Sequence, residues 1–109
     1  MTTNFLPFVK VIEYSVDIPQ ITATLADGGF IKVTFKIETD NKKAKAELEK
    51  RVFQLKDISN GLLADMNYKD LSGNEGQEYL KKSLMDRLNE LMQEGKVVKV
   101  YIVENILQK

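Results

Sequence analysis

Cysteine and histidine are both absent from this chain of 109 residues. Their absence excludes disulfides, thiolate- or imidazole-ligated zinc, iron–sulfur clusters, Ser–His and Cys–His catalysis, and histidine-based pH sensing. Proline is scarce, with Pro7 and Pro19 both falling early. Neither sign of charge prevails: sixteen Lys and Arg balance sixteen Asp and Glu. No whole-molecule field therefore favours nucleic acid or an anionic membrane. No run approaches the ~20 apolar residues of a membrane-spanning helix. The most apolar terminal piece, Phe5 to Ile12, is interrupted by Pro7 and Lys10 and lacks the flanks of a signal peptide. Taken alone, these ends predict a soluble chain without a targeting signal.

What is present suits one α+β domain. The apolar fraction is 43% and the charged fraction 29%, ordinary values for a globular protein. Phe8 to Tyr14 reads as one or two turns of helix or as an irregular lead-in. Pro19 disfavours helix at Ile18, and Ile21, Ala23 and Leu25 alternate with polar residues as in a strand. After Asp27-Gly28-Gly29, the run Phe30 to Thr39 places Ile31, Val33, Phe35 and Ile37 on one face and Lys32, Thr34, Lys36 and Glu38 on the other. The two runs and their glycine turn predict an antiparallel hairpin with one wet face.

From Asp40 or Asn41 the period changes to that of a helix, with Asp40 a plausible N-cap. Ala44, Leu48, Val52, Leu55, Ile58 and Leu62 recur at three- and four-residue spacings. This helix is expected to reach Asp65 or Met66, with a weak spot at Ser59-Asn60-Gly61 because Gly costs ~1 kcal/mol against Ala in a helix interior. Asn67 to Gly73 reads as a loop. Ser72 or Asn74 is expected to cap a second helix striped by Leu80, Leu84, Leu88, Leu91 and Met92, ended by a left-handed Gly95. Val97 to Leu107 reads as a strand with Val98, Val100 and Ile102 on one face and Val97, Tyr101 and Val103 on the other. With two rather apolar faces, it is either central or covered by a partner. The sum is an α+β fold: a mostly antiparallel sheet with two helices on one face.

The chemistry on offer is thin. Asp27-Gly28-Gly29 leads into a strand rather than a helix, so a hairpin turn accounts for it better than a phosphate cradle. Gly73 and Gly76 precede a helix, but Asn74, Glu75 and Glu78 put an acceptor and negative charge where an anion would sit. Asp86, Glu90 and Glu94 share a helix face at four-residue spacing. Such carboxylates can ligate a divalent metal or divide acid and base roles when buried, but here they alternate with Lys82, Arg87 and Gln93 on the solvent side. A solvated face is the better account, so no catalytic residue, metal ligand or cofactor site is assigned. An enzyme using Asp86, Glu90 or Tyr101 is the weakest of the readings. The candidates that remain are surfaces. One comprises the apolar lead-in Phe5, Leu6, Phe8 and Val9, which either packs on the domain, meets a partner or approaches a membrane. Another is the basic cluster Lys42, Lys43 and Lys45, continued by Lys50 and Arg51, which could meet phosphate head groups or an acidic partner. The third is the face of the last strand that carries Tyr101 and Val103.

The residues also carry a resemblance. Tyr14-Ser15-Val16-Asp17-Ile18-Pro19 and the run Ile21 to Lys32 resemble the start of the extracytoplasmic domain of the FliL family of flagellar basal-body-associated membrane proteins. Asp57-Ile58, Leu62-Leu63, Asp70-Leu71, Gly73, Gly76, Leu80, Leu84 and Leu88-Asn89 follow in that family's order. So do Gly95-Lys96-Val97, Val100-Tyr101-Ile102 and Ile106-Leu107-Gln108. The likeness spans residues 14–109, and the spelling is closer to the Gram-positive branch. Residues 1–13 then become a lead-in following a membrane anchor that this chain does not contain. The resemblance implies a stomatin/SPFH-like core, a single-pass location with the domain on the extracytoplasmic side, and lateral association into homo-oligomeric rings. Such rings would surround flagellar stator units, contact the peptidoglycan-binding stator subunit, and support torque and motility without catalysis or cofactor. A general stomatin-like membrane scaffold unconnected with motility is the alternative.

Overall fold

Alternation in Phe30–Thr39 makes this ten-residue strand the spine of the domain. In the computed structural model, which describes residues 5–109 with side chains from Val9 onward, it is β3 of a four-stranded antiparallel sheet. The other elements are α1 (Phe5–Glu13), β1 (Ser15–Asp17), β2 (Ile21–Thr24), α2 (Lys42–Lys50), α3 (Val52–Ala64), α4 (Tyr68–Leu71), α5 (Asn74–Leu91) and β4 (Val97–Gln108). One edge of β3 pairs with β2 at its start and β1 at its end; the other edge pairs with β4 from Phe30 to Thr39. Pro19 has no N–H to donate, and it separates β1 from β2. The Ile18 amide still donates to the Phe35 carbonyl at 3.0 Å, so the chain stays on the sheet across the break.

Ile31, Val33, Phe35 and Ile37 are all buried, as are Leu48, Leu55, Leu63, Leu80, Leu84 and Leu88 from α2, α3 and α5. Burying each such side chain stabilises the fold by roughly 1.5–3 kcal/mol. The α+β expectation therefore holds, with the helices over the apolar face of the sheet. The hairpin turn also holds: Leu25 donates to the Gly29 carbonyl at 2.7 Å, Gly28 takes φ 90°, and the Asp27 carboxylate accepts from the Gly29 amide at 3.3 Å.

Several local expectations are corrected. The long helix breaks at Arg51 (φ −100°, ψ 13°) rather than at Ser59-Asn60-Gly61. Arg51 is tied to Glu47 at 2.8 Å and to Gln54 at 2.7 Å across the junction. Gly61 meets nothing within 4 Å on the solvent side, and α3 runs straight through it. Asn41, not Asp40, caps α2, accepting from the Ala44 amide at 2.9 Å. The stretch expected as a loop contains α4, whose start is fixed by the Asp70 carboxylate accepting from the Asn67 amide at 2.9 Å. Neither Ser72 nor Asn74 caps α5; Gly73 stands at that position, and the Ser72 hydroxyl donates to Lys69 O instead. Helix α5 ends at Leu91, so Gly95 (φ 151°) serves the turn into β4 rather than the helix cap.

The last strand is an edge, not the centre, because β3 occupies the middle. Its phase also differs from simple alternation. Irregularities fall between Thr34 and Phe35 and between Glu38 and Thr39, where Val103 and Val98 are the unpaired extra residues of β4. Each such bulge resets the side-chain phase. Val97, Val100 and Ile102 therefore lie opposite Thr39, Ile37 and Phe35, on the core side, while Tyr101 lies opposite Lys36 on the other face.

Candidate interaction surface

The apolar lead-in and the basic cluster meet where α1 ends. The Tyr14 amide closes the last turn of α1 on the Lys10 carbonyl at 2.9 Å, and the Ser15 hydroxyl donates to the Val11 carbonyl. From α2, the Lys45 ammonium donates to the Glu13 carbonyl at 3.1 Å, at the negative end of the α1 dipole. Lys42 lies 3.9 Å from the Glu13 carboxylate. The structure thus ties Val9's helix to Lys42 and Lys45, and Lys43 lies beside Lys42 in the first turn of α2. Val9, Lys42 and Lys43 are exposed and Lys45 half-buried, while Phe5, Leu6 and Phe8 lie outside the residues whose side chains are described.

Tyr101 and Val103 belong to a second patch. Among the described residues, no hydrogen bond or ion pair links them to the first. The Tyr101 hydroxyl donates to the Glu38 carboxylate at 3.0 Å, and burial, then the Glu38 charge, pushes the phenol above its ordinary pKa. Lys99 sits 5.4 Å above the same ring, a cation–π distance. Val103 stands at a bulge, 59% exposed, with exposed Val98 and Ile106 on the same strand. The outer edge of β4 has no strand partner among the described residues. Sequence reasoning missed Phe53, which at 71% is the most exposed large apolar side chain among those described. Its signal was available: Phe53 lies off the Leu55, Ile58, Leu62 stripe and in line with Lys56, Asp57 and Asn60.

A polar clamp fixes the turn that leads from α5 into β4. The Glu47 carboxylate accepts from the Gln93 amide at 2.9 Å and the Glu94 amide at 2.8 Å, as well as from Arg51. Asp40 accepts from the Lys96 amide at 3.1 Å, and Asn41 donates to the Glu94 carbonyl at 3.1 Å. Burial raises the Glu47 pKa, but the Glu94 and Gln93 amides and Arg51 outweigh it and hold the group below the ordinary range of a glutamate. A depressed carboxylate pKa gives stability that is full above the unfolded-state value and disappears as pH falls through the folded one. Glu47→Gln is therefore expected to be less stable than wild type at pH 7. The gap should close between about pH 5 and pH 3 in thermal melts, and a gap independent of pH would refute the assignment.

The acidic residues of α5 lie on the solvent side. Exposed Asp86 pairs with Lys82 at 2.9 Å, and Glu90 is exposed. Asp27, beyond its turn role, accepts from the Tyr68 amide at 3.1 Å; that bond chiefly lowers its pKa and pins α4 to the hairpin. Among the described residues no group of three or more Asp and Glu is placed to hold a metal ion.

The arrangement is that of a small α+β domain presenting two exposed patches, one at the α1–α2 junction and one along β4. The family model described as "Flagellar basal body-associated protein FliL" matches residues 15–108. The chain is 46% identical over 99 residues to a flagellar protein FliL of Bacillus subtilis (strain 168), covering 91% of this chain and 71% of that protein. It is 27% identical over 100 residues to a flagellar protein FliL of Aquifex aeolicus (strain VF5), covering 89% of this chain and 62% of that protein. The chain belongs to the FliL family of flagellar basal-body-associated proteins.

Proposed function

We propose that this chain is the extracytoplasmic domain of a membrane-anchored accessory protein of the flagellar motor, and that residues 1–13 lead from the anchor into the domain. Copies associate laterally into a ring around stator units and contact the peptidoglycan-binding stator subunit. The ring supports torque without catalysis. Its effect on the stator comes from differential binding: a collar favours the active stator state only as far as it contacts that state better. A likeness of the core to the stomatin/SPFH fold is part of the same reading. No helix among the described residues is long and apolar enough to cross a membrane.

The observation that carries the reading, beside family membership, is the outer edge of β4, which has no strand partner among the described residues, with Val98, Val103 and Ile106 exposed along the strand. An open strand edge bearing apolar side chains is a ready template for a neighbouring chain. The expected result of deleting the protein is cells with normal filaments that swim poorly or not at all. Restoring the wild-type protein should restore swimming, whereas Val103→Asp with Ile106→Asp should not. The membrane-tethered protein should also co-purify with the peptidoglycan-binding stator subunit. A deletion strain that swims normally would favour the general membrane scaffold instead.

A further inference from the structure

The junction of α1 and α2 has a make-up that packing does not explain. Val9 and Ile12, one turn apart on α1, are 47% and 54% exposed. Beside them stand Lys10, Lys42 and Lys45, with Glu13 as the acid between, and Lys42 offsets that acid at 3.9 Å. Lys42 and Lys43 occupy the first turn of α2, which holds no acidic residue. Positive charge there opposes the helix dipole. Local stability would place an acid at these positions, so the lysines serve something outside the helix.

We propose that this surface rests on an anionic lipid bilayer, with Val9 and Ile12 in the boundary between head groups and acyl chains and Lys10 and Lys42 at the phosphates. An apolar face flanked by lysines is the composition of helices that lie in the membrane interface. Lysine stems reach along apolar surface and keep the ammonium in the polar layer. A protein partner fits less well, because the cores of protein interfaces are depleted in lysine and enriched in arginine and aromatic residues. The inference rests on the reading that the domain sits beside a membrane, and it adds a second contact that fixes the domain's tilt on the bilayer.

The chain holds no tryptophan, so Ile12→Trp supplies a single tryptophan, excited selectively over the tyrosines, within the patch. Its emission is expected to shift to the blue on vesicles of phosphatidylglycerol and phosphatidylcholine in equal parts. It should not shift on phosphatidylcholine alone. Wild-type chain should float with the anionic vesicles at low salt and detach towards about 0.5 M salt, where screening is within a few ångströms. Lys42→Glu, exposed and beside Glu13, should weaken binding by at least about fivefold, the scale of one lysine at an anionic surface. Val9→Asp should weaken it as well, with unchanged circular dichroism for both variants. Equal binding to both vesicle types, wild-type binding by Lys42→Glu, or no binding at all would overturn the proposal. So would a concentration-dependent dimer, without vesicle binding, that Val9→Asp dissociates. Failure here leaves the swimming phenotype as the test of the motor reading, and a normally swimming deletion strain leaves the vesicle result standing.

Discussion

Replacing Gly76 by alanine is expected to remove roughly 3–5 kcal/mol of stability, a large share of the ~5–15 kcal/mol that a domain of this size possesses. A Cβ at Gly76 would lie 1.8 Å from the Asp70 carbonyl oxygen and 2.6 Å from its carbon. Those are backbone atoms, so no rotamer change relieves the overlap. Retreat of α4 is opposed from both sides: the Asp27 carboxylate holds the Tyr68 amide, Leu71 is buried, and the Gln77 side chain donates to the Leu71 carbonyl at 3.0 Å. Gly61→Ala is the matching control. It meets nothing within 4 Å, and alanine in a helix interior should stabilise by about 0.5–1 kcal/mol. Urea denaturation of the two variants measures both. A Gly76→Ala midpoint equal to wild type would mean that α4 and α5 do not approach this closely.

The second large effect is expected at Asn89. Its amide nitrogen donates to the Val97 carbonyl at 2.9 Å, and its amide oxygen accepts from the Val97 amide at 2.8 Å. One side chain thus satisfies both main-chain groups of a buried residue at the point where β4 begins. Asn89→Leu leaves both unpaired, at about 1–3 kcal/mol for each buried group, so a loss of roughly 2–6 kcal/mol is expected. Asn89→Asp separates geometry from chemistry. Ionised, the carboxylate can still accept from the Val97 amide but repels the carbonyl. Protonated, it can donate to one and accept from the other, as the amide does. In this variant the folded state prefers the protonated form, which raises the carboxyl's folded pKa above its unfolded value. Protonation is therefore stabilising, and the deficit against wild type should shrink as pH falls through the carboxylate range. A deficit that stays constant from pH 7 to pH 4 would show that the paired hydrogen bonds do not carry the effect.

Elements set by local pattern were legible without the fold. Ile31, Val33, Phe35 and Ile37 declare a strand with one buried face, and all four are buried. The leucines of α5 declare a helix in the same way. What escaped depends on residues distant in sequence. The break at Arg51 goes with Glu47, whose carboxylate also holds the turn at Gln93 and Glu94, about forty-six residues away. The phase of β4 is reset where Val98 and Val103 stand out of register with β3, and no alternation within β4 could reveal a mismatch with its neighbour. Of the candidate surface, Lys42 and Lys45 were chosen for charge and Val9 for apolarity. Their convergence through Glu13 required knowing that α1 ends against α2.

The way the ends of the sheet are arranged has a mechanical consequence. The Tyr14 carbonyl meets Thr39 at one end of β3, while Gln108 of β4 pairs with Phe30 at the other. A pull applied between these two ends runs lengthwise and slides β4 against β3. The cross-strand hydrogen bonds are then strained side by side rather than opened one after another like a zip. Stretched in that direction the domain should behave as a stiff strut that yields all at once. Tension applied across the sheet, peeling β4 away from Val97, should part it at far lower force.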